Sequence, residues 1–162
     1  GLILDYNMED NMVLKEYKNE PFSKNGLINR EKITEYANKI IENFDVRSGE
    51  GGKSIARSLS GGNQQKAIIG REVASNPDLL IAVQPTRGLD VGSIEYIHKR
   101  LVEERDNGKA VLLVSLELDE VLNLSDRIAV VNNGELVGIV NAHETDENEV
   151  GLLMAGIKRG EG

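Results

Sequence analysis

The stretch Leu59-Ser60-Gly61-Gly62-Asn63-Gln64-Gln65-Lys66 decides how this chain is read, because it sets a hydroxyl and two glycines where a helix begins. From Gln64 the sequence continues as a helix-compatible run, Gln-Gln-Lys-Ala-Ile-Ile-Gly-Arg-Glu-Val-Ala, closed by Asn76-Pro77. The first N–H groups of a helix have no partner within it and carry the positive end of its dipole. Ser60, Gly61 and Gly62 are therefore placed to offer a side-chain oxygen and bare amides to an anion, which is half of a phosphate site.

The order of the residues C-terminal to this stretch gives it weight. A strand ends in Gln84-Pro85-Thr86, then come Arg87-Gly88-Leu89-Asp90 and a second strand, Val111-Leu112-Leu113-Val114-Ser115. In this order the chain resembles the ATP-binding-cassette family, whose signature begins Leu-Ser-Gly-Gly; the continuation Asn-Gln-Gln-Lys resembles the importers of simple sugars and nucleosides. The resemblance covers nearly all of the chain. It implies an α/β fold, a partial cassette with a helical subdomain carrying the signature (1–76) and the C-terminal part of a RecA-like α/β core (77–162). The phosphate-loop strand is expected to lie outside the chain, leaving an apolar edge or face of the sheet uncovered.

Composition narrows the alternatives. With 162 residues and 40% hydrophobic content there is room for a packed core. A net charge of -8 disfavours a phosphate-backbone binder, which carries a basic face. No cysteine is present, so disulfides and thiolate metal sites do not enter. The longest apolar runs, Leu79 to Val83 and Ala110 to Val114, fall far short of the roughly 18 residues of a membrane helix. Beginning at Gly1 with the strand-like Leu2-Ile3-Leu4, the sequence reads as a piece of a longer protein.

Periodicity supplies the elements. Asp5 to Leu14 has room for one or two helical turns, and Lys15 to Asn29 reads as a loop. Ile33, Ala37, Ile40, Ile41 and Phe44 fall at helical spacing after a capping Asn29, predicting a helix over 30–44. Leu79 to Val83 is a continuous apolar run, expected of a strand buried on both faces. Val91, Ile94, Ile97, Leu101 and Val102 mark one face of a helix ended by Asp106-Asn107-Gly108. A strand over 110–115, a short helix around 118–122, and a hairpin turning at Asn132-Asn133-Gly134 lead to a last helix near Glu147 to Gly156.

The loop Gly49-Glu50-Gly51-Gly52-Lys53-Ser54 ends like a phosphate loop but is rejected as one. Arg47 stands where the motif requires its first glycine, and no buried strand precedes it, so the stretch reads as a flexible surface loop. In the resembling family two cassettes close face to face, each signature completing the ATP site of the other. That implies that Ser60, Gly61, Gly62 and Gln64 face an ATP held by a partner cassette, with Asp90 in the loop that crosses the interface. Asp90 also reads as the N-cap of the helix after it.

The same resemblance marks what is missing. The family's Walker B strand ends Asp-Glu-Pro-Thr, and here it reads Val83-Gln84-Pro85-Thr86. Valine offers no oxygen to a magnesium water, and a neutral amide cannot take a proton as a carboxylate does. Leu116 occupies the position of the family's switch histidine and can neither donate to a phosphate nor relay a proton. His98 and His143 read as surface residues. The expectation is a second, degenerate cassette without a catalytic residue or metal site of its own, inactive alone, in a parent that uses ATP and Mg2+. Its implied partners are an intact cassette, the N-terminal half of the same polypeptide, and membrane permease subunits at the cytoplasmic face. Two other classes stay open, a non-catalytic interaction module and a soluble cassette ATPase without a transport role.

Overall fold

The structure, a computed structural model, describes residues 1–157 and divides into two compact units, 1–80 with 85–111 and 81–84 with the residues from 112 onward. In the first unit, α1 (Met8–Met12) starts at Asn7, whose side chain accepts from the Asp10 amide at 2.7 Å. Asn11 is fully buried and fully employed: its Oδ1 accepts from Ile3 N at 2.8 Å, and its Nδ2 donates to the carbonyls of Ile3 and Asn7 at 3.0 Å. Asn11 thereby pins the N-terminal segment to the first helix.

The segment after α1 contains structure that its composition does not announce. Strands β1 (Ser23–Lys24) and β2 (Leu27–Ile28) form a two-residue hairpin through Asn25 and Gly26, whose positive φ values of 51° and 79° suit the Asn-Gly turn. Helix α2 (Arg30–Asn43) begins where the cap was expected, with Asn29 Oδ1 accepting from Lys32 N. Its buried face, Ile33, Ala37 and Ile40, continues to Phe44, and Phe22, clustered with Val13 and Ile33, meets the Tyr36 ring at a tilt of 57° with centroids 4.9 Å apart.

The glycine-rich loop over 49–54 departs from the expectation of a flexible surface loop. Gly51–Lys53 forms a turn of 3-10 helix, and Gly52 and Ser54 are buried. Ser54 Oγ accepts from Glu50 N at 2.9 Å, and Ser54 O accepts from Met8 N at 3.0 Å. A methyl group at Gly52 would lie 2.7 Å from Glu9 Cγ, so here the glycine serves close packing against α1. Composition alone could not reveal that neighbour.

Helix α3 (Gly61–Ala74) packs against both α2 and α4 (Val91–Asp106). It passes α2 at Gly70, where a methyl group would meet Ile40 and Phe44 at 2.9 Å. Strands β3 (Leu79–Val83) and β4 (Ala110–Val114) are sheet neighbours, with Ala110 N donating to Asp78 O at 2.9 Å and Gln84 N to Val114 O at 2.8 Å. The expectation that β3 is buried on both faces is corrected. Leu80 and Ala82 are buried, whereas Leu79, Ile81 and Val83 are more than half exposed, because nothing among the described residues covers that side. A continuous apolar run reports the chemistry of both faces, not what is present to cover them.

In the second unit, α5 (Leu118–Leu124) precedes an antiparallel hairpin of β5 (Arg127–Asn132) and β6 (Glu135–Asn141), registered from Arg127 opposite Asn141 to Asn132 opposite Glu135. Asn133 and Gly134 make the turn, and a register shift at Val130/Val131 bends the ribbon. A 3-10 turn over Ala142–Glu144 leads to α6 (Glu147–Met154), whose Val150 and Leu153 close a core with Ile128, Val130 and Val140.

Candidate functional site

The signature stretch folds as a capped helix start, at the hydroxyl and two glycines where the sequence places it. Ser60 is the N-cap in extended backbone, and Gly61 and Gly62 are the first two helical residues. Ser60 Oγ accepts from Asn63 N at 3.4 Å and from Asn63 Nδ2 at 2.9 Å. A serine hydroxyl has two acceptor positions and one proton. With both acceptor positions engaged, the proton is what Ser60 has left to offer, beside the Gly61 and Gly62 amides that the helix itself cannot satisfy.

The surrounding side chains hold this end in place. Asn63 Oδ1 accepts from Arg47 N at 2.8 Å, tying the signature to the segment after α2. Gln64 Nε2 donates to the carbonyls of Ala56 and Leu59, both at 3.1 Å, and so fixes the turn that enters the helix. Lys66 is buried; its Nζ lies 2.9 Å from Asp45 Oδ2 and 4.4 Å from the Tyr96 ring centre, joining α3 to the end of α2 and to α4. Its hydrogen bond and charge hold the Asp45 carboxyl below the usual carboxylate range.

Asp90 is exposed and is the N-cap of α4: Oδ1 accepts from Ser93 N at 3.0 Å and Oδ2 from Ser93 Oγ at 2.7 Å. Those two bonds, the hydroxyl first, lower its carboxyl below the usual range. Ser60, Gly61, Gly62, Gln64 and Asp90 all lie in the first unit. The two glycines differ in kind. A methyl group at Gly61 would find only Leu89 Cδ2 at 3.6 Å, whereas one at Gly62 would collide with Ser93 Oγ at 2.2 Å. Gly62 is thus demanded by packing, and Gly61 is not.

The three positions without the usual chemistry lie in the second unit. Val83 and Leu116 are 62% and 76% exposed, and neither carries a polar side-chain atom. Gln84 sits at a φ of 49°, a left-handed conformation uncommon for a residue with a Cβ. His143 is exposed, while His98 is half-buried on α4 and engaged there. No group of three or more His, Asp or Glu among the described residues could hold a metal ion, and no helix among them is long and apolar enough to cross a membrane. The motif residues did not single out Asn63 or Ser93. Each stands three residues after a cap, the spacing of a reciprocal capping pair, which is a signal the sequence did contain.

Comparison with known proteins places this geometry. No protein-family model matches the chain. A nucleoside import ATP-binding protein of Lactococcus lactis is 56% identical over 156 residues, covering 96% of this chain and 31% of the relative. A ribose import ATP-binding protein of Streptococcus agalactiae is 37% identical over 158 residues, covering 98% and 32%. The dimeric structure of a bacterial ABC transporter cassette superposes with a TM-score of 0.68 at 25% identity, over 88% of this chain and 59% of that one. Sequence and fold agree: the chain belongs to the ATP-binding-cassette family and carries part of an α/β cassette. Within it, the chain is a relative of the ATP-binding proteins of nucleoside and sugar importers and spans about a third of their length.

Proposed function

We propose that this chain is the C-terminal part of the second, degenerate cassette of an importer's ATP-binding protein, and that it lends its signature to an ATP held by an intact partner cassette. Residues 1–76 then act as the signature-bearing subdomain and 77–162 as the C-terminal part of the RecA-like core. One observation carries the reading: Ser60 has its acceptor positions engaged within the cap and its proton left to donate, at the exposed start of a 14-residue helix.

Around a phosphate, Ser60 would donate its hydroxyl proton, the Gly61 and Gly62 amides would add the helix-terminal donors, and Gln64 would hold the loop that presents them. ATP supplies the phosphoanhydride whose cleavage drives the parent's cycle. Magnesium fits this chain's own strand end poorly, since Val83 offers no oxygen and Gln84 only an amide. The intact cassette is proposed to be the N-terminal half of the same polypeptide, seated with permease subunits at the cytoplasmic face of the membrane. Nucleosides are the favoured solute over sugars, because the nucleoside-importing relative is 56% identical and the ribose-importing one 37%.

The test compares Ser60→Arg with Gln84→Ala in the complete importer. The arginine would occupy the space in front of the helix amides, so ATP turnover falls by roughly 100-fold or more. The Gln84 variant stays within about twofold, since an amide at that place supplies no general base to lose. Equal losses, or a near-normal rate for Ser60→Arg, would refute the proposal.

A further inference from the structure

The buried Ser93 is not used by the function just proposed, yet it stands between the two motifs that function relies on. Its hydroxyl donates to Asp90 Oδ2 at 2.7 Å and its amide to Asp90 Oδ1 at 3.0 Å. On its other side is Gly62. A methyl group there would lie 2.2 Å from Ser93 Oγ, 3.0 Å from Ser93 Cβ and 3.2 Å from Asp90 Oδ2. The N-terminus of α3 therefore rests on the cap of α4 with no atom to spare.

Two helix N-termini side by side repel through their dipoles, and the Asp90 carboxylate, held ionised by Ser93 and packed against Gly62, opposes that repulsion. With too little room between Gly62 and Ser93 for even a methyl group, a shift of the Asp90 loop displaces Gly62, and with it Gly61 and Ser60. We infer that Ser93 is a positioning residue: through Gly62 it sets Ser60 and Gly61 at a fixed offset from Asp90, so that the signature and the Asp90 loop meet the partner as one rigid surface. This rests on the proposal that the signature faces a partner's ATP.

The test uses the complete importer with Ser93→Ala, Gly62→Ala, Ser93→Gly, the double variant Gly62→Ala/Ser93→Gly, and Ser60→Arg alongside. Ser93→Ala should lower kcat by roughly ten- to a hundredfold, the scale of one lost hydrogen bond to a charged group, with the KM for ATP within about twofold. Gly62→Ala should lower both the denaturation midpoint and kcat; adding Ser93→Gly should restore more than half of the midpoint loss, by making room for the methyl group, while kcat stays at or below that of Ser93→Ala because the hydroxyl is gone. The midpoint needs no nucleotide, so it reads the contact independently of turnover. Additive midpoints for the two sites, or an unchanged kcat for Ser93→Ala while Ser60→Arg is inactive, would overturn the positioning role alone. An active Ser60→Arg would overturn it together with the function on which it rests.

Discussion

Gly61 and Gly70 lie on the same helix, and replacing each by alanine asks whether packing or the open site explains each glycine. In an unhindered helix alanine is favoured over glycine by about 1 kcal/mol, less in the first turn. At Gly61 the new methyl group meets only Leu89 Cδ2 at 3.6 Å, an ordinary contact, so the fold should be unchanged or slightly more stable. At Gly70 it would lie 2.9 Å from Ile40 Cγ2 and from Phe44 Cγ, and 3.0 Å from Phe44 Cδ2. Neither neighbour can retreat easily: Ile40 and Phe44 are 3% and 4% exposed, and the Arg100 guanidinium sits 4.3 Å above the Phe44 ring. Overpacking of this kind costs about 1–3 kcal/mol, and clashes with two confined neighbours place Gly70 at about 2–3 kcal/mol, so after a propensity gain of about 1 kcal/mol the net loss should be about 1–2 kcal/mol. Urea denaturation reads it as a midpoint lowered by roughly 0.5–1 M at unchanged slope. A Gly70→Ala protein at or above the wild-type midpoint, or a Gly61→Ala protein that falls as far, would show that the packing of α3 is misassigned.

Acid should weaken the fold in part through Asp45. Its carboxyl is lowered by the Lys66 hydrogen bond and charge, so the pair contributes above the unfolded carboxylate value of about 4 and is lost as pH falls through the lower folded value. Asp45→Asn should therefore flatten the loss of stability as pH falls below about 4, and matching acid slopes for both proteins would contradict this. Gln84 tests backbone strain: Gln84→Gly should be neutral or more stable by up to about 1 kcal/mol, and Gln84→Val less stable by about 1–2 kcal/mol, by the same denaturation assay. Loss in the glycine variant as large as in the valine variant would locate the effect in the side chain.

Local patterns carried most of the fold. The helix from Arg30 was legible because a cap and a buried stripe agree, and the hairpin after Arg127 because Asn-Gly separates two apolar strands. What escaped depends on neighbours distant in sequence. The strand Leu79–Val83 is apolar throughout, and only the structure shows which side is covered. Gly52 looked like loop punctuation until Glu9 was found against it, and the packing of Gly62 against Ser93, a second reason for a glycine there, was not visible in the motif. The cap at Ser60 was readable from its residue type. The engagement of its acceptor positions by Asn63 was not, because a side chain's direction is not written in spacing.

The central claim is that the signature faces nucleotide while this chain's own strand end does not. Photo-crosslinking the complete importer with an ATP analogue carrying its reactive group on the γ-phosphate tests it directly. Trypsin cuts after Arg57 and Lys66 and after Arg71 and Arg87, so the signature is recovered as Ser58–Lys66 and the strand end as Glu72–Arg87. The label should appear in Ser58–Lys66, and only when the partner cassette is present; label in Glu72–Arg87, or none in Ser58–Lys66, would contradict the account.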